Sequence, residues 1–327
     1  MEILSSINFE KFGYKQLTRS QQQAIESGVL ENKNTVIVMP LGDGKTYIAE
    51  LRMDQVISEG GQAIFLSTTK VLNNQKYERF YPIFSKTRLI EGGIRKHQVK
   101  DAFSTASIIC STPEKFFYEI FQDINRLNKI KLVVLDDAHV IVERRRGPRV
   151  ELFLSFLHYL QKLDYWDGKL LLMSGTMPNY DQIADWLNAG KFYSAKKLHE
   201  NEYYYVVSTN NNDLSLVPCD PDNDSKNDQL TWQAPRITSD GELFYPDPFS
   251  LLCLYFIKND EKLLVLVKDR KTAEFLYHSV KEDLNQLSGF NSSGVLYHHS
   301  KMLDHDKNNT VKKRKTEIFQ LYSAPQP

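Results

Sequence analysis

In Met39-Pro40-Leu41-Gly42-Asp43-Gly44-Lys45-Thr46, a glycine-containing turn delivers Gly-Lys-Thr to the start of a helix, and those residue types at that spacing make a cradle for phosphate. The preceding run, Asn34-Thr35-Val36-Ile37-Val38, is β-branched and apolar, as a buried parallel strand should be. The following run, Tyr47-Ile48-Ala49-Glu50-Leu51, suits a helix. Backbone N–H groups at that helix start would face phosphate oxygens. Lys45 would reach the β- and γ-phosphates, and the Thr46 hydroxyl would take one position on Mg²⁺. Leu41, Gly42, Asp43, Gly44, Lys45 and Thr46 are therefore the candidate nucleotide cradle. The general form of such a loop has glycine where Met39 stands, so a plain strand-to-helix turn with a surface lysine remains the alternative on this motif alone.

A second element fits the first. Leu132-Val133-Val134-Leu135-Asp136-Asp137-Ala138-His139 is an apolar strand that delivers two carboxylates at its C-terminal end, where open α/β sheets bind their ligands. Asp136 there could hold a metal-bound water beside the γ-phosphate, and Asp137 could orient the attacking water. The bland alternative is a strand ending in a polar turn capped by aspartates.

The elements that must position these groups alternate along the chain. Strand candidates at Thr35–Met39, Ala63–Ser67, Ser107–Ser111, Lys131–Leu135 and Leu170–Ser174 are separated by helical stretches, which predicts a parallel α/β sheet. From Asn201 to about Pro248 a tyrosine-rich strand candidate, the turn-like Thr209-Asn210-Asn211-Asn212-Asp213 and a polar stretch predict a connector that carries a hairpin. A second α/β pattern then begins with strand Lys262–Val267, helix Lys271–Lys281 and strand Gly294–Tyr297. The basic run Lys312-Lys313-Arg314-Lys315 leads into a predicted helix, and Ala324-Pro325-Gln326-Pro327 reads as an unstructured end.

The 327 residues suffice for two cores of ordinary size. Lys+Arg 41 against Asp+Glu 41 gives no global pull toward polyanions and leaves room for local basic patches. Cys110, Cys219 and Cys253 are odd in number and widely spaced, which argues against a disulfide framework and against a zinc site. With no membrane-spanning run and no leader pattern, the sequence reads as a soluble intracellular protein, cytoplasmic or, in a eukaryote, nuclear.

With both phosphate-site elements in view, the chain resembles a superfamily 2 nucleic-acid helicase of the DEAD/DEAH-like kind, in particular the superkiller-type branch. Gly13-Tyr14-Lys15-Gln16-Leu17-Thr18-Arg19-Ser20-Gln21 resembles the segment with which that family reads adenine, with Gln21 at the position of its glutamine. Ser67-Thr68-Thr69-Lys70-Val71-Leu72-Asn73-Asn74-Gln75-Lys76 resembles motif Ia, Gly92-Gly93 the glycine pair and Ser111-Thr112-Pro113-Glu114-Lys115 motif Ib. Arg146-Gly147-Pro148-Arg149-Val150-Glu151 resembles a signature of the branch. Met173-Ser174-Gly175-Thr176-Met177-Pro178-Asn179 resembles motif III, which couples hydrolysis to strand contact, with Ser174 and Thr176 as its hydroxyls. In the second region Leu264–Glu274 resembles motif IV, and Gly294–Ser300 the strand after it.

The resemblance implies a RecA-like P-loop lobe with a parallel sheet at 1–195, a connector at 196–248 and a partial second RecA-like lobe at 249–327. It further implies ATP and Mg²⁺ as cofactors, with Lys45, Asp136 and Asp137 catalytic and Thr46 and Asp136 on the metal. A single strand of DNA or RNA would lie across Lys70, Gly92, Gly93 and Thr112. A membrane partner is not implied.

The departures concern chemistry. The family places glutamate where this chain has Asp137, and a displacement of about 1 Å at a water-positioning group lowers rate about a hundredfold, ~2.7 kcal/mol of barrier. Gly175 stands where alanine is usual, which predicts extra backbone freedom. Leu41 replaces a threonine, and Thr68 a proline. Motifs V and VI, whose arginines complete the ATP site in this family, do not follow. The expectation is thus the front part of a motor, completed by a continuation or a protein partner and not unwinding alone. The other reading is a weak or inactive nucleotide- or nucleic-acid-binding scaffold. A small-molecule P-loop kinase would explain neither the second α/β region nor the motif order.

Bland readings suit the remaining features. Lys312–Lys315 reads as a solvated helix face, and Tyr203-Tyr204-Tyr205 as packing of a small sheet. His298-His299 reads as a strand end, Phe116-Phe117-Tyr118 with Ile120-Phe121 as the buried side of a helix, and Arg144-Arg145-Arg146 as a solvated or ligand-contacting loop.

Overall fold

The computed structural model describes residues 9–194 without interruption, and beyond them residues 204–208, 214–218, 230–232, 248–258, 263–267, 270–286, 295–298 and 319–323. The chain divides into two units, Met1–Glu200 and Asn201–Pro327.

The apolar runs of the first unit become strands β1 (Thr35–Val38), β2 (Gln62–Leu66), β4 (Ile108–Ser111), β5 (Ile130–Leu135) and β6 (Lys169–Ser174), each within a residue of its predicted ends. Two further strands, β3 (Thr87–Ile90) and β7 (Gly190–Tyr193), complete a seven-stranded sheet in the order β3-β4-β2-β5-β6-β1-β7. Every pairing in it is parallel. The two strands that the sequence reading missed are the two edges. Thr-Arg-Leu-Ile and Gly-Lys-Phe-Tyr are only partly covered, so they are not written as continuous apolar runs.

Successive residues of the inner strands feed two cores, as the two-residue period of a strand requires. Val36, Val38, Ile64, Leu66, Val133, Leu135, Leu170 and Leu172 belong to one core. Ile37, Met39, Ala63, Phe65, Leu132, Val134, Leu171 and Met173 belong to the other. Helices close both faces. A single turn, α1 (Phe9–Phe12), precedes α2 (Arg19–Glu26), α3 (Lys45–Ser58) and α4 (Lys70–Phe80), which cover the second core. The first core lies under α5 (Lys96–Thr105), α6 (Pro113–Gln122), α7 (Gly147–Lys162) and α8 (Tyr180–Trp186).

Helix α6 corrects one expectation. Phe116 and Ile120 are buried, but Tyr118 and Phe121 are 55% and 57% exposed, so the aromatic run wraps round the helix instead of marking one sealed face. Phe117 and Phe121 meet edge to face at 4.3 Å, and with Pro113, Tyr118, Arg149, Val150 and Phe153 they line a cavity of about 430 Å³ between α6 and α7.

In the second unit β8 (Tyr204–Ser208), β9 (Leu214–Pro218) and β10 (Leu230–Trp232) form an antiparallel sheet in the order β10-β9-β8. Tyr204 and Tyr205 lie in this small sheet, whereas Tyr203 is outside the described residues. The α/β part contains α9 (Pro248–Lys258), β11 (Leu263–Val267), α10 (Arg270–Gln286), β12 (Val295–His298) and β13 (Phe319–Ser323). Strand β13 lies between β11 and β12, parallel to both.

The expected helix after the basic run is thereby corrected, because Phe319-Gln320-Leu321-Tyr322-Ser323 is a central strand. Its pairing with β11 and β12 outweighs local helix propensity. Lys312–Lys315, His299 and the Ala324–Pro327 end lie outside the described residues.

Candidate functional site

The topology sorts the C-terminal ends of the strands into two halves. Strands β5, β6 and β1 are consecutive in the sheet, and the segments leaving them contain Asp136-Asp137, Gly175-Thr176 and Pro40–Gly44. Strands β3, β4 and β2 form the other half, and from them leave Gly92-Gly93, Thr112 and Thr68-Thr69.

In the first half the loop turns on Gly42 (φ 88) and Gly44 (φ 84), and Gly44 caps α3. Only glycine takes both conformations freely, and a Cβ on Gly44 would also collide with the Gln21 amide. Gln21 itself is buried. Its Nε2 donates to the Gly44 carbonyl at 3.1 Å, and its Oε1 accepts from the Thr18 N–H at 2.8 Å within a capping box. The proposed adenine reader thus has both ends of its amide engaged by the chain and ties α2 to the loop.

Asp43 is also turned inward, its carboxylate accepting from the Ser20 hydroxyl at 3.0 Å, which takes an acidic side chain out of the mouth of a phosphate loop. Lys45 is 9% exposed, and its ammonium donates to the carbonyls of Met39 (2.7 Å) and Pro40 (2.9 Å). Burial pushes that ammonium below its ordinary range, against the pull of Asp136, Asp137 and Asp43.

Asp136 leaves β5 with its N–H bonded to the Leu66 carbonyl, and its Oδ1 accepts from the Asp137 N–H at 3.2 Å. Asp137 has φ 55, a left-handed conformation in which aspartate is better tolerated than most residues. Burial, and then the neighbouring Asp136, raise its carboxyl above the usual range. The sequence reading placed Lys76 only as the last residue of the motif Ia resemblance, not at the nucleotide site, and it projects from α4. Its ammonium donates to the Thr46 hydroxyl at 2.7 Å and pairs with Asp136 Oδ2 at 3.2 Å. A hydroxyl from α3 and a carboxylate from β5 therefore already converge on one positive charge. Hard oxygen donors arranged round a cation fit Mg²⁺.

Behind β6 the Ser174 hydroxyl donates to the Thr176 carbonyl at 2.8 Å and lies 3.2 Å from His139 Nδ1, while the Ser174 carbonyl accepts from the Met39 N–H. Ser174 thus touches both the phosphate loop and the turn after Asp137. Thr176 takes part through its backbone, its N–H donating to the Ser174 hydroxyl at 3.3 Å. Gly175 needs no special backbone angle, and a Cβ there would meet Leu41 at 3.5 Å, an ordinary contact. Two departures from the family pattern, Leu41 and Gly175, are therefore neighbours in space.

In the second half Lys70 opens α4 and is exposed, its ammonium 4.0 Å from where a side chain on Gly92 would begin. Gly92 and Gly93 are exposed in the loop after β3, and the Thr112 hydroxyl caps α6 by accepting from the Lys115 N–H. The helix starts at Lys70 and Pro113 and the exposed glycine pair thus follow three adjacent strands of the sheet. Arg146 is drawn from its basic loop to Glu114 at 2.8 Å, while Arg144 and Arg145 are exposed. A Cβ at Gly147 would strike the Ile141 carbonyl, which accounts for glycine there.

A second unforeseen cluster locks α3 to α4. The fully buried Glu50 carboxylate receives Arg79 at 2.7 and 3.1 Å, and Arg79 also donates to the Phe12 carbonyl at 2.7 Å and lies over the Tyr14 ring. The signal available in the sequence was a glutamate on the apolar side of α3.

A parallel sheet with a phosphate-type loop after one strand, and paired carboxylates two strands away, is a RecA-like P-loop lobe. The family model of the DEAD/DEAH box helicases matches residues 18–183, and the chain belongs to that family. It is 29% identical over 264 residues to the ATP-dependent DNA helicase Hel308 of Thermococcus kodakarensis, which covers 80% of this chain and 21% of that relative. The chain thus spans about a fifth of that relative's length. Among solved structures, the DUF1998 helicase MrfA bound to DNA has a TM-score of 0.68 at 16% identity, covering 96% of this chain and 43% of that one. A structure of S. cerevisiae Dbp5 bound to RNA and ADP BeF3 has a TM-score of 0.58 at 17% identity, over 94% of this chain and 70% of that one.

Proposed function

We propose that this chain supplies the ATP-binding lobe, and part of a second lobe, of a superfamily 2 motor of the superkiller type that acts on single-stranded nucleic acid. The observation that carries the reading is the meeting of the Thr46 hydroxyl and the Asp136 carboxylate round one cation position, beside the buried Lys45. In this reading Lys45 exchanges its loop carbonyls for the β- and γ-phosphates. Backbone N–H groups of Leu41 to Thr46 hold the remaining phosphate oxygens, and Gln21 braces the loop under adenine. Thr46 and Asp136 would hold Mg²⁺, which supplies charge neutralisation of the triphosphate when bound. Asp137 orients the attacking water, and Ser174 and Thr176 pass the state of the nucleotide to the rest of the lobe.

The strand would lie along Lys70, Gly92, Gly93 and Thr112, where helix N-termini and bare backbone favour phosphates without reading bases. DNA is the first substrate to test, because the Hel308 relative is named a DNA helicase. A continuation or a protein partner supplies the rest of the second lobe.

Titration of the chain with a fluorescent ATP analogue and Mg²⁺ tests the reading. The wild type binds, and Lys45→Ala weakens binding by about 1.5–3 kcal/mol, the worth of a charged hydrogen bond. Absence of affinity in the wild type overturns the proposal. A non-hydrolysing scaffold is the second reading, favoured by the short, left-handed Asp137. Turnover of ATP at saturating single-stranded DNA decides between the two.

A further inference from the structure

Lys76 has three neighbours that hold its charge in place: the Thr46 hydroxyl at 2.7 Å, Asp136 Oδ2 at 3.2 Å and the face of the buried Phe65 ring, 5.3 Å from ammonium to centroid. The Lys76 and Asp136 side chains are 18% and 15% exposed, so the contact is sheltered yet reachable from solvent. Without a cation there, Asp136 would stand beside the like charge of Asp137 in a partly buried mouth, where the nearby Lys45 ammonium is held on the Met39 and Pro40 carbonyls. An ammonium and a divalent ion cannot share the same two oxygens, because at such separations their repulsion in a partly buried site is large. Occupancy is therefore exclusive.

We propose that Lys76 is the resident counter-cation of the nucleotide site, holding the Thr46–Asp136 position in the nucleotide-free protein and yielding it when Mg²⁺ arrives with nucleotide. The proposal rests on the nucleotide-site reading above. It also gives a physical link between the halves of the sheet. Lys76 and Lys70 share α4, about 9 Å apart along its axis. Release of Lys76 from the nucleotide half therefore loosens a tether on the helix whose first residue faces the strand half.

The test uses the full chain and two readouts, thermal melting with Mg²⁺ alone against NaCl of equal ionic strength, and the Mg²⁺ concentration for half-maximal binding of the fluorescent ATP analogue. The wild type melts at the same temperature with or without millimolar Mg²⁺. Lys76→Met, which keeps an unbranched side chain one atom shorter and removes the charge, gains melting temperature with Mg²⁺ alone. It also needs at least about tenfold less Mg²⁺ for nucleotide binding, the equivalent of one charged hydrogen bond no longer displaced. Lys76→Arg retains a cation and keeps the wild-type Mg²⁺ requirement or raises it.

Identical Mg²⁺ dependence in wild type and Lys76→Met overturns the proposal. Should Lys76→Met fail to fold, a Lys76→Arg protein with a lowered Mg²⁺ requirement overturns it in its place, and an unchanged or raised requirement supports it. Failure of the wild type to bind nucleotide at saturating Mg²⁺ is a different result, and it refutes the nucleotide-site reading itself.

Discussion

The two halves of the sheet's C-terminal edge are built on opposite plans. Behind β5, β6 and β1 the polar groups are sheltered and already engaged: Lys45 on two carbonyls, Gln21 between Thr18 and Gly44, Asp43 on Ser20, and Asp136 on Lys76. Behind β3, β4 and β2 the exposed features are Lys70 at the start of α4 and the Gly92-Gly93 pair, with the Thr112 cap of α6 partly covered. Chemistry on a triphosphate needs groups whose positions are fixed before the ligand arrives, because reorganisation at the reacting centre costs rate. Holding any strand by its phosphates needs only positive potential and backbone that a chain can approach. The helix pair α3 and α4 joins the halves, stitched by Glu50–Arg79 within and by Thr46–Lys76 at the mouth.

Breaking the inner stitch has the largest expected effect. Arg79→Ala leaves the Glu50 carboxylate, 0% exposed, without its partner, and we expect a loss of about 3 kcal/mol in urea unfolding, the low end for a broken buried pair because Arg79 is 39% exposed. A loss below about 1 kcal/mol would mean that the halves are held by the cores alone. A smaller effect falls on the strand half. Lys70→Ala should weaken binding of an oligo(dT) strand and reduce the salt slope of log K by about 0.7, one phosphate contact on a single strand, while leaving nucleotide affinity unchanged. Anisotropy titrations across NaCl concentrations measure it, and an unchanged slope removes Lys70 from the strand path. The smallest effect belongs to Gly175→Ala. The added methyl meets Leu41 at ordinary contact distance, so stability should change by no more than about 0.5 kcal/mol. A larger loss would show that motif III depends on glycine after all.

The central strands were legible because a buried parallel strand is written as a nearly continuous apolar run, and both candidate phosphate-site loops follow such strands. The edge strands β3 and β7 were not, since half-covered strands accept Arg88 and Lys191. Strand β13 was misjudged as a helix for a related reason, because its pairing partners lie far away in sequence. The motif residues Lys45, Thr46 and Asp136 could be named from spacing alone. Lys76 could not, because its site is formed by a helix after one strand meeting a helix and a strand end from elsewhere.

Local order along the chain determined the kind of lobe, the phosphate loop and the acidic strand end, since each is written in contiguous residues with a fixed period or turn. Only the tertiary structure decided that Gln21 and Asp43 turn inward, that Leu41 lies beside Gly175, and that the Lys76 ammonium lies between Thr46 and Asp136. The reason is physical. Charge and contact act through space over a few ångströms, and strand order brings together groups that the sequence keeps tens of residues apart.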